Sequence, residues 1–126
     1  MNIIFKHIGL QVIEKDVDSF YVDILGFEFT REFLLSHEES KKIFGKSKKV
    51  RILFGSCKEL GMELFVSDLH RNPSYNHICI QTENLQEIST AAKQKGYRVF
   101  TRRTSSSGTL FISDSNHNTF EIKEKS

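Results

Sequence analysis

Tryptophan is absent from this chain of 126 residues, proline occurs once and cysteine twice. Cys57 and Cys79 show neither a CxxC pair nor zinc-ribbon spacing. Two cysteines are too few for a secreted disulfide framework, so we expect a reduced, cytoplasmic setting. The N-terminus lacks the long apolar stretch and the small-residue cleavage site of a signal peptide. No apolar run approaches the roughly 20 residues of a membrane span, so we expect no membrane partner.

Positive and negative charges are nearly balanced, with 18 Lys and Arg residues against 16 Asp and Glu residues. The net charge of +2 is too small to indicate a nucleic-acid partner. Phenylalanine is plentiful, with eleven residues, in a composition that is 38% hydrophobic and 27% charged. Such a composition is typical of globular proteins, and the length is sufficient to bury a core. We expect one domain over 1–126 with a core rich in phenylalanine.

A repeated phrase is the most informative feature of the chain: "HIGLQV" at 7–12 and "HICIQT" at 77–82. Each phrase begins with histidine, and its aliphatic residues alternate with other types. This period of two predicts half-buried strands, the first of which extends over 3–12. Both histidines then lie on the face opposite the aliphatic residues.

Helical patterns follow both phrases. The first, "EKDVDSFYVDILGF", predicts about three turns, with Asp16 or Asp18 capping the start and Gly26 ending the helix. The second begins at Asn84 as its N-cap and ends at Gly96. Three strand patterns follow each helix. The sequence therefore predicts an α+β fold of two βαβββ modules, over about 3–66 and 75–124, joined by a linker over 67–74.

A second pair of residues falls in register with the histidines. Glu63 and Glu121 each occupy the last predicted strand of their module. The interval from histidine to glutamate is 56 residues in the first module and 44 in the second. The difference of 12 is close to the length of the charged segment 36–49, so an insertion there accounts for it. That segment predicts a loop, or a lid that closes over an anionic substrate.

These residues resemble the vicinal oxygen chelate superfamily, which includes glyoxalase I, methylmalonyl-CoA epimerase, fosfomycin resistance proteins, bleomycin-binding proteins and extradiol dioxygenases. "DSFYVDILGFE" is similar to the family's usual "S..FY...LGF" segment, and "ISDSNHNTFEI" stands where the family has "DPDGN.IEL". The resemblance covers essentially the whole chain. It implies that the modules curl into an eight-stranded cup with the helices outside, closed either within one chain or by exchange between two chains, and that the protein is a homodimer. It also implies a divalent metal held by His7, Glu63, His77 and Glu121.

The chemistry of these four residues agrees with that implication. Two carboxylates in a partly buried cup repel each other, and a divalent cation removes the conflict. Two imidazoles and two carboxylates suit Zn²⁺, Ni²⁺, Co²⁺, Mn²⁺ or Fe²⁺. Open coordination positions would allow catalysis on a small-molecule substrate, with the metal polarising a carbonyl or α-hydroxycarbonyl group. A carboxylate would be the base: Glu121 by family resemblance, or Glu63.

The resemblance to glyoxalase I predicts a metal-dependent lyase or isomerase. Three alternatives keep the fold but change the reaction: an epimerase, a fosfomycin-modifying enzyme or a dioxygenase. A fourth is a non-enzymatic protein that sequesters an antibiotic in the cup. One further motif, "TRRTSSSG" at 101–108, predicts an exposed turn or, because arginine recognises carboxylate and phosphate, an anion site.

Overall fold

A computed structural model describes residues 1–103 and 108–125. Within these residues the strands β1 to β8 span Ile8–Val12, Glu28–Leu35, Val50–Cys57, Leu60–Val66, His77–Thr82, Arg98–Arg103, Gly108–Ser113 and Thr119–Glu124. The helices are α1 (Glu14–Asp16), which continues into a π-helix over Val17–Val22, then α2 (His37–Phe44) and α3 (Leu85–Gln94).

The strands form two four-stranded sheets with the same topology, β1-β4-β3-β2 and β5-β8-β7-β6. In each sheet the first strand of the module pairs in parallel with the last, and the other pairings are antiparallel. This arrangement confirms the predicted α+β fold of two βαβββ modules. We call the face of each sheet that bears the histidine and glutamate side chains the inner face.

One hydrophobic core spans both modules on the opposite faces of the sheets. Phe20 and Tyr21, on the π-helix of the first module, are fully buried. Their rings lie 5.8 and 6.1 Å from the ring of Phe120 on β8, in the second module. Phe20 also meets Tyr97 edge-on at 4.9 Å. Because the first helix packs on the second sheet, the core fixes the two modules relative to each other.

The first helix differs from its prediction. Ile13 precedes it without a side-chain cap, and neither Asp16 nor Asp18 caps the start. Asp16 is fully buried instead, and its carboxylate accepts hydrogen bonds from Tyr97 and Ser115 in the second module. Gly26 ends the helical segment with a φ of 73°, as predicted.

The first strand is shorter than predicted, because it begins at Ile8 instead of residue 3. β1 lies at the edge of its sheet and pairs only with β4, which starts at Leu60. Extending the parallel register places Lys6 opposite Leu60, so the residues before Lys6 have no strand opposite them among the residues described, and Ile3 and Ile4 are exposed. In the second module, Asn84 precedes α3 but makes no side-chain cap.

The charged segment 36–49 is also more ordered than predicted. It contains α2, which begins after Ser36, whose hydroxyl accepts a hydrogen bond from the Glu39 amide at 3.2 Å. Gly45 ends the helix in the left-handed conformation. A side-chain cap and a C-terminal glycine are the ordinary signals of a helix, which here outweigh the sparse apolar pattern.

The "TRRTSSSG" motif is described only at its ends. Arg102 and Arg103 belong to β6 and Gly108 begins β7, whereas residues 104–107 lie outside the described residues. Across the described ranges, none of the helices has the length and apolar character needed to cross a membrane.

Candidate metal site

His7 and Glu63 form a pair on the inner face of the first sheet. Glu63 lies opposite Gly9 in the parallel register of β1 and β4, two residues along from His7. His7 Nε2 is 2.9 Å from Glu63 Oε1, and the glutamate side chain is 17% exposed. Gly61 allows this approach, because a Cβ there would lie 2.5 Å from the carbonyl oxygen of Lys6. The edge of the His7 ring also meets Phe54 at 5.7 Å.

His77 and Glu121 form the equivalent pair in the second sheet. Glu121 lies opposite Cys79, again two residues along from the histidine. His77 Nε2 is 3.1 Å from Glu121 Oε1. The other carboxylate oxygen, Oε2, is 3.3 Å from the ammonium group of Lys123. The two pairs differ at the position two residues after the glutamate, because Phe65 follows Glu63 whereas Lys123 follows Glu121.

The hydrogen bond of His77 determines how a neutral imidazole would face Glu121. Its Nδ1 lies 2.9 Å from the carbonyl oxygen of Tyr75, and because a carbonyl has no proton to give, Nδ1–H must donate. A neutral His77 then directs the lone pair of Nε2 towards the carboxylate of Glu121. Two acceptors at 3.1 Å repel each other unless a proton or a cation lies between them.

The donor atoms fit a divalent ion. Two ligands that lie about 2.1 Å from one ion, at right angles to each other, are about 3.0 Å apart. The separations in the two pairs, 2.9 and 3.1 Å, match this value. A metal-ligating histidine usually donates its second ring N–H to a carbonyl or carboxylate, which fixes the orientation of the ring. The contact of His77 Nδ1 with the Tyr75 carbonyl oxygen is of this kind.

Each sheet contributes half of the predicted ligand set. His7 lies with Glu63, and His77 lies with Glu121. Among the described residues of one chain, no three histidine, cysteine, aspartate or glutamate side chains come together as a possible metal site. The two His–Glu pairs therefore do not combine into one cluster among the described residues of a single chain, and a four-ligand site would need them to be brought together.

Two cations near the pairs were missed by reasoning from the sequence. Lys123 follows Glu121 by two residues, and the side-chain period of a strand places both on one face. The position of Lys123 could therefore have been predicted from the sequence. Arg31 stacks 4.6 Å from the centroid of Phe54, beside His7. Arg31 follows an irregularity in the pairing of β2 with β3, between Phe29 and Arg31, which shifts its register. No local pattern predicts that shift.

The turn at 114–118 holds β8, and with it Glu121, against the first module. The Asp114 carboxylate accepts hydrogen bonds from the amides of Asn116 and Asn118, at 2.8 and 2.9 Å. The side-chain amides of both asparagines donate to the carbonyl oxygen of Gln11 at the end of β1. His117, at the centre of the turn, has a φ of 63°.

Two tyrosines complete this network. The Tyr21 hydroxyl donates to Asp114 at 2.7 Å, and the Tyr97 hydroxyl donates to Asp16 at 2.8 Å. Burial raises the pKa of Tyr21 well above its ordinary value, and the charge of Asp114 adds to the effect. Burial likewise raises the pKa of Tyr97 to about 12. Both tyrosines therefore remain neutral donors under ordinary conditions.

Comparison with known proteins gives structural relatives. No protein-family model and no curated protein sequence matches the chain. Fosfomycin resistance protein FosX from Listeria monocytogenes is similar in structure with a TM-score of 0.75 and 18% identity, covering 100% of this chain and 96% of that one. FosX from Mesorhizobium loti has a TM-score of 0.70 and 13% identity, covering 100% and 94%.

A glyoxalase family protein from Enterococcus faecalis is similar to the same extent, with a TM-score of 0.70 and 21% identity, covering 96% of this chain and 97% of that one. These proteins belong to the superfamily that the doubled histidine motif resembles. Similarity at such identities establishes the fold. The chain has the paired βαβββ fold of the vicinal oxygen chelate superfamily.

Proposed function

We propose that this protein is a divalent-metal-dependent lyase or isomerase of the glyoxalase I type, with His7, Glu63, His77 and Glu121 as metal ligands. The supporting observation is the pair of equivalent His–Glu contacts, in which imidazole nitrogen faces carboxylate oxygen at 2.9 and 3.1 Å. Two carboxylates and two neutral imidazoles would balance the charge of one divalent ion.

The proposed site forms between two copies of the chain. His7 and Glu63 of one copy would meet His77 and Glu121 of the other, in a homodimer with two sites. Exposed aromatic side chains on the inner faces support this arrangement, because Phe33 is 37% exposed and Phe100 is 62% exposed. Apolar side chains on such a face indicate a surface that another molecule covers.

A bound divalent ion would supply Lewis-acid polarisation of a carbonyl or α-hydroxycarbonyl oxygen. The chain itself would supply the base that accepts the carbon-bound proton. His77 contacts one carboxylate oxygen of Glu121 and Lys123 contacts the other. Glu63 has only His7 as a polar partner among the residues described. We therefore favour Glu63 as the carboxylate that moves to accept the proton, and Glu121 as the one that stays in place.

Fosfomycin modification is the second candidate. The structural likeness to FosX supports it, and a variant of Listeria FosX has been crystallised with Mn(II) and 1S,2S-dihydroxypropylphosphonic acid. Arg31 and Lys123, near the two His–Glu pairs, are suitable partners for a phosphonate. Loss of fosfomycin in the presence of each metal, with water or a thiol as nucleophile, would favour this candidate.

Metal content tests the proposal most directly. Wild type, stripped with a chelator and dialysed against Zn²⁺, Ni²⁺, Co²⁺, Mn²⁺ or Fe²⁺, should retain one ion per chain. A His7→Ala/His77→Ala variant should lose it. A His37→Ala/His70→Ala variant is the matched control, because both of these histidines are exposed and lie in neither pair. Equal retention by the three proteins would refute the ligand assignment.

Mixing two single variants tests the shared site. His7→Ala and His77→Ala homodimers each lack one ligand in every site. Random exchange of subunits makes half of the dimers mixed, and each mixed dimer regains one of its two sites, so about a quarter of the wild-type metal should return. A site within one chain would regain nothing.

Turnover of methylglyoxal with several thiols, and of methylmalonyl-CoA, tests the reaction. Glu63→Gln should abolish turnover and retain more metal than Glu121→Gln. The opposite result would assign the base to Glu121. If no carbonyl substrate is turned over with any of the five metals, the lyase or isomerase assignment is wrong.

A further inference from the structure

A cavity of about 220 Å³ lies between α2 and the inner face of the first sheet. Gly9 and Phe65 contribute to its floor. Gly9 is opposite Glu63 in the β1–β4 register and two residues from His7, which places it about 7 Å along the strand from the histidine. The cavity therefore begins beside the first His–Glu pair and extends away from it.

Aromatic rings and the absence of a side chain at Gly9 shape the cavity. Phe44, at the end of α2, meets Phe65 edge-on at a centroid distance of 5.2 Å. A Cβ at Gly9 would lie 3.1 Å from Cε1 of Phe65, so the glycine leaves room for this ring. The second module has Cys79 at the equivalent position and no counterpart of α2 in its described part. The cavity is therefore a property of the first module.

The rim of the cavity is cationic. Lys46, Lys48 and Lys49 follow α2 and line the cavity, and the described lining contains no carboxylate. Lys48 is paired with Asp68, which lies outside the lining, at 3.0 Å. The arrangement combines an apolar floor with positive charge at the mouth, so it complements a molecule with an apolar body and an anionic end.

We propose that this cavity binds the part of the substrate that does not react: a small apolar or aromatic group carrying a phosphonate, phosphate or carboxylate. The inference rests on the proposed function, because only then does the neighbouring His7–Glu63 pair hold the reacting end. A volume of about 220 Å³ is below the roughly 300–1,000 Å³ of drug-sized sites, so the group is small. Phe44 contacts its apolar body, and Lys46 and Lys49 contact its charge.

Phenylphosphonate is the probe, tested by calorimetry and by amide chemical shifts on metal-free protein. Benzyl alcohol and inorganic phosphate supply the apolar and the anionic halves alone, and each should bind roughly tenfold more weakly. Lys46→Gln/Lys49→Gln should weaken phenylphosphonate about tenfold without affecting benzyl alcohol. Lys15→Gln/Lys93→Gln removes the same net charge from exposed sites outside the cavity and should change nothing. Phe44→Leu should weaken phenylphosphonate and benzyl alcohol alike.

The proposal would be overturned if the two lysine double variants weakened phenylphosphonate binding equally. It would also be overturned if phenylphosphonate left the amide chemical shifts of Gly9 and Phe65 unchanged. Metal binding by the same samples separates this result from the proposed function. If metal is retained and phenylphosphonate does not bind, the cavity assignment is wrong and the metal site stands. If phenylphosphonate binds as expected and no metal does, the cavity binds anions but the proposed function fails.

Discussion

The hydrogen bond from Tyr21 to Asp114 joins the helix of the first module to the last turn of the second. Tyr21→Phe removes one oxygen from a ring that is fully buried. A hydrogen bond to a charged group contributes about 1.5–3 kcal/mol. Asp114 Oδ2 keeps a second donor, the Asn118 side-chain amide at 2.8 Å, so the carboxylate is not left unpaired. We therefore expect the free energy of unfolding to fall by about 1.5–2 kcal/mol at pH 7.

The same substitution should change the alkaline limb of the stability curve. Burial raises the pKa of Tyr21 well above 10, so the unfolded chain loses this proton near pH 10 while the folded chain keeps it. The contribution of the phenol is complete below pH 10 and declines by about 1.4 kcal/mol per pH unit above it. Phenylalanine has no such proton. The cost of Tyr21→Phe should therefore shrink by about 1.4 kcal/mol between pH 7 and pH 11.

Urea unfolding followed by far-ultraviolet circular dichroism measures both quantities. Protein concentration must be held constant, because the apparent stability of the proposed homodimer would depend on it. Tyr75→Phe is the matched control, since Tyr75 is fully exposed, and we expect a change within about 0.5 kcal/mol. The reasoning is refuted if Tyr21→Phe costs no more than this control at pH 7, or if its cost is the same at pH 7 and pH 11.

Three further predictions concern single positions. His117→Gly should raise the free energy of unfolding by about 0.5–1 kcal/mol in urea, because φ at 117 is 63°; a destabilised variant would contradict this. Gly61→Ala should lower both stability and metal affinity by displacing the backbone before His7, so unchanged metal affinity would count against it. Ellman's reagent at pH 8 should modify exposed Cys79 quickly and Cys57 slowly, because burial raises the pKa of Cys57 to about 11; Cys79→Ser should remove the fast phase alone.

Several features could not be predicted because they depend on residues distant in the chain. Asp16 has the sequence position of an N-cap, yet its carboxylate is bonded to Tyr97 and Ser115, 81 and 99 residues away. α2 itself has local signals in Ser36 and Gly45, but the contact of Phe44 with Phe65 on the sheet joins residues distant in the chain. Such contacts have no local signature, whereas capping and strand alternation do.

The sequence by itself determined the module content and the composition of each His–Glu pair. A strand has a side-chain period of two, so a histidine at the head of the first strand and a glutamate on the last strand of the same module fall on one face. Pairing the first strand with the last then brings His7 to Glu63 and His77 to Glu121.

Only the tertiary structure decided how those pairs are arranged. The core joins the helix of the first module to the sheet of the second, and in that arrangement the described residues of one chain present two separate His–Glu pairs. The cavity beside Gly9 likewise exists only because α2 folds back over β1 and β4. Both results come from packing between segments far apart in the chain, which the period of a strand or helix does not encode.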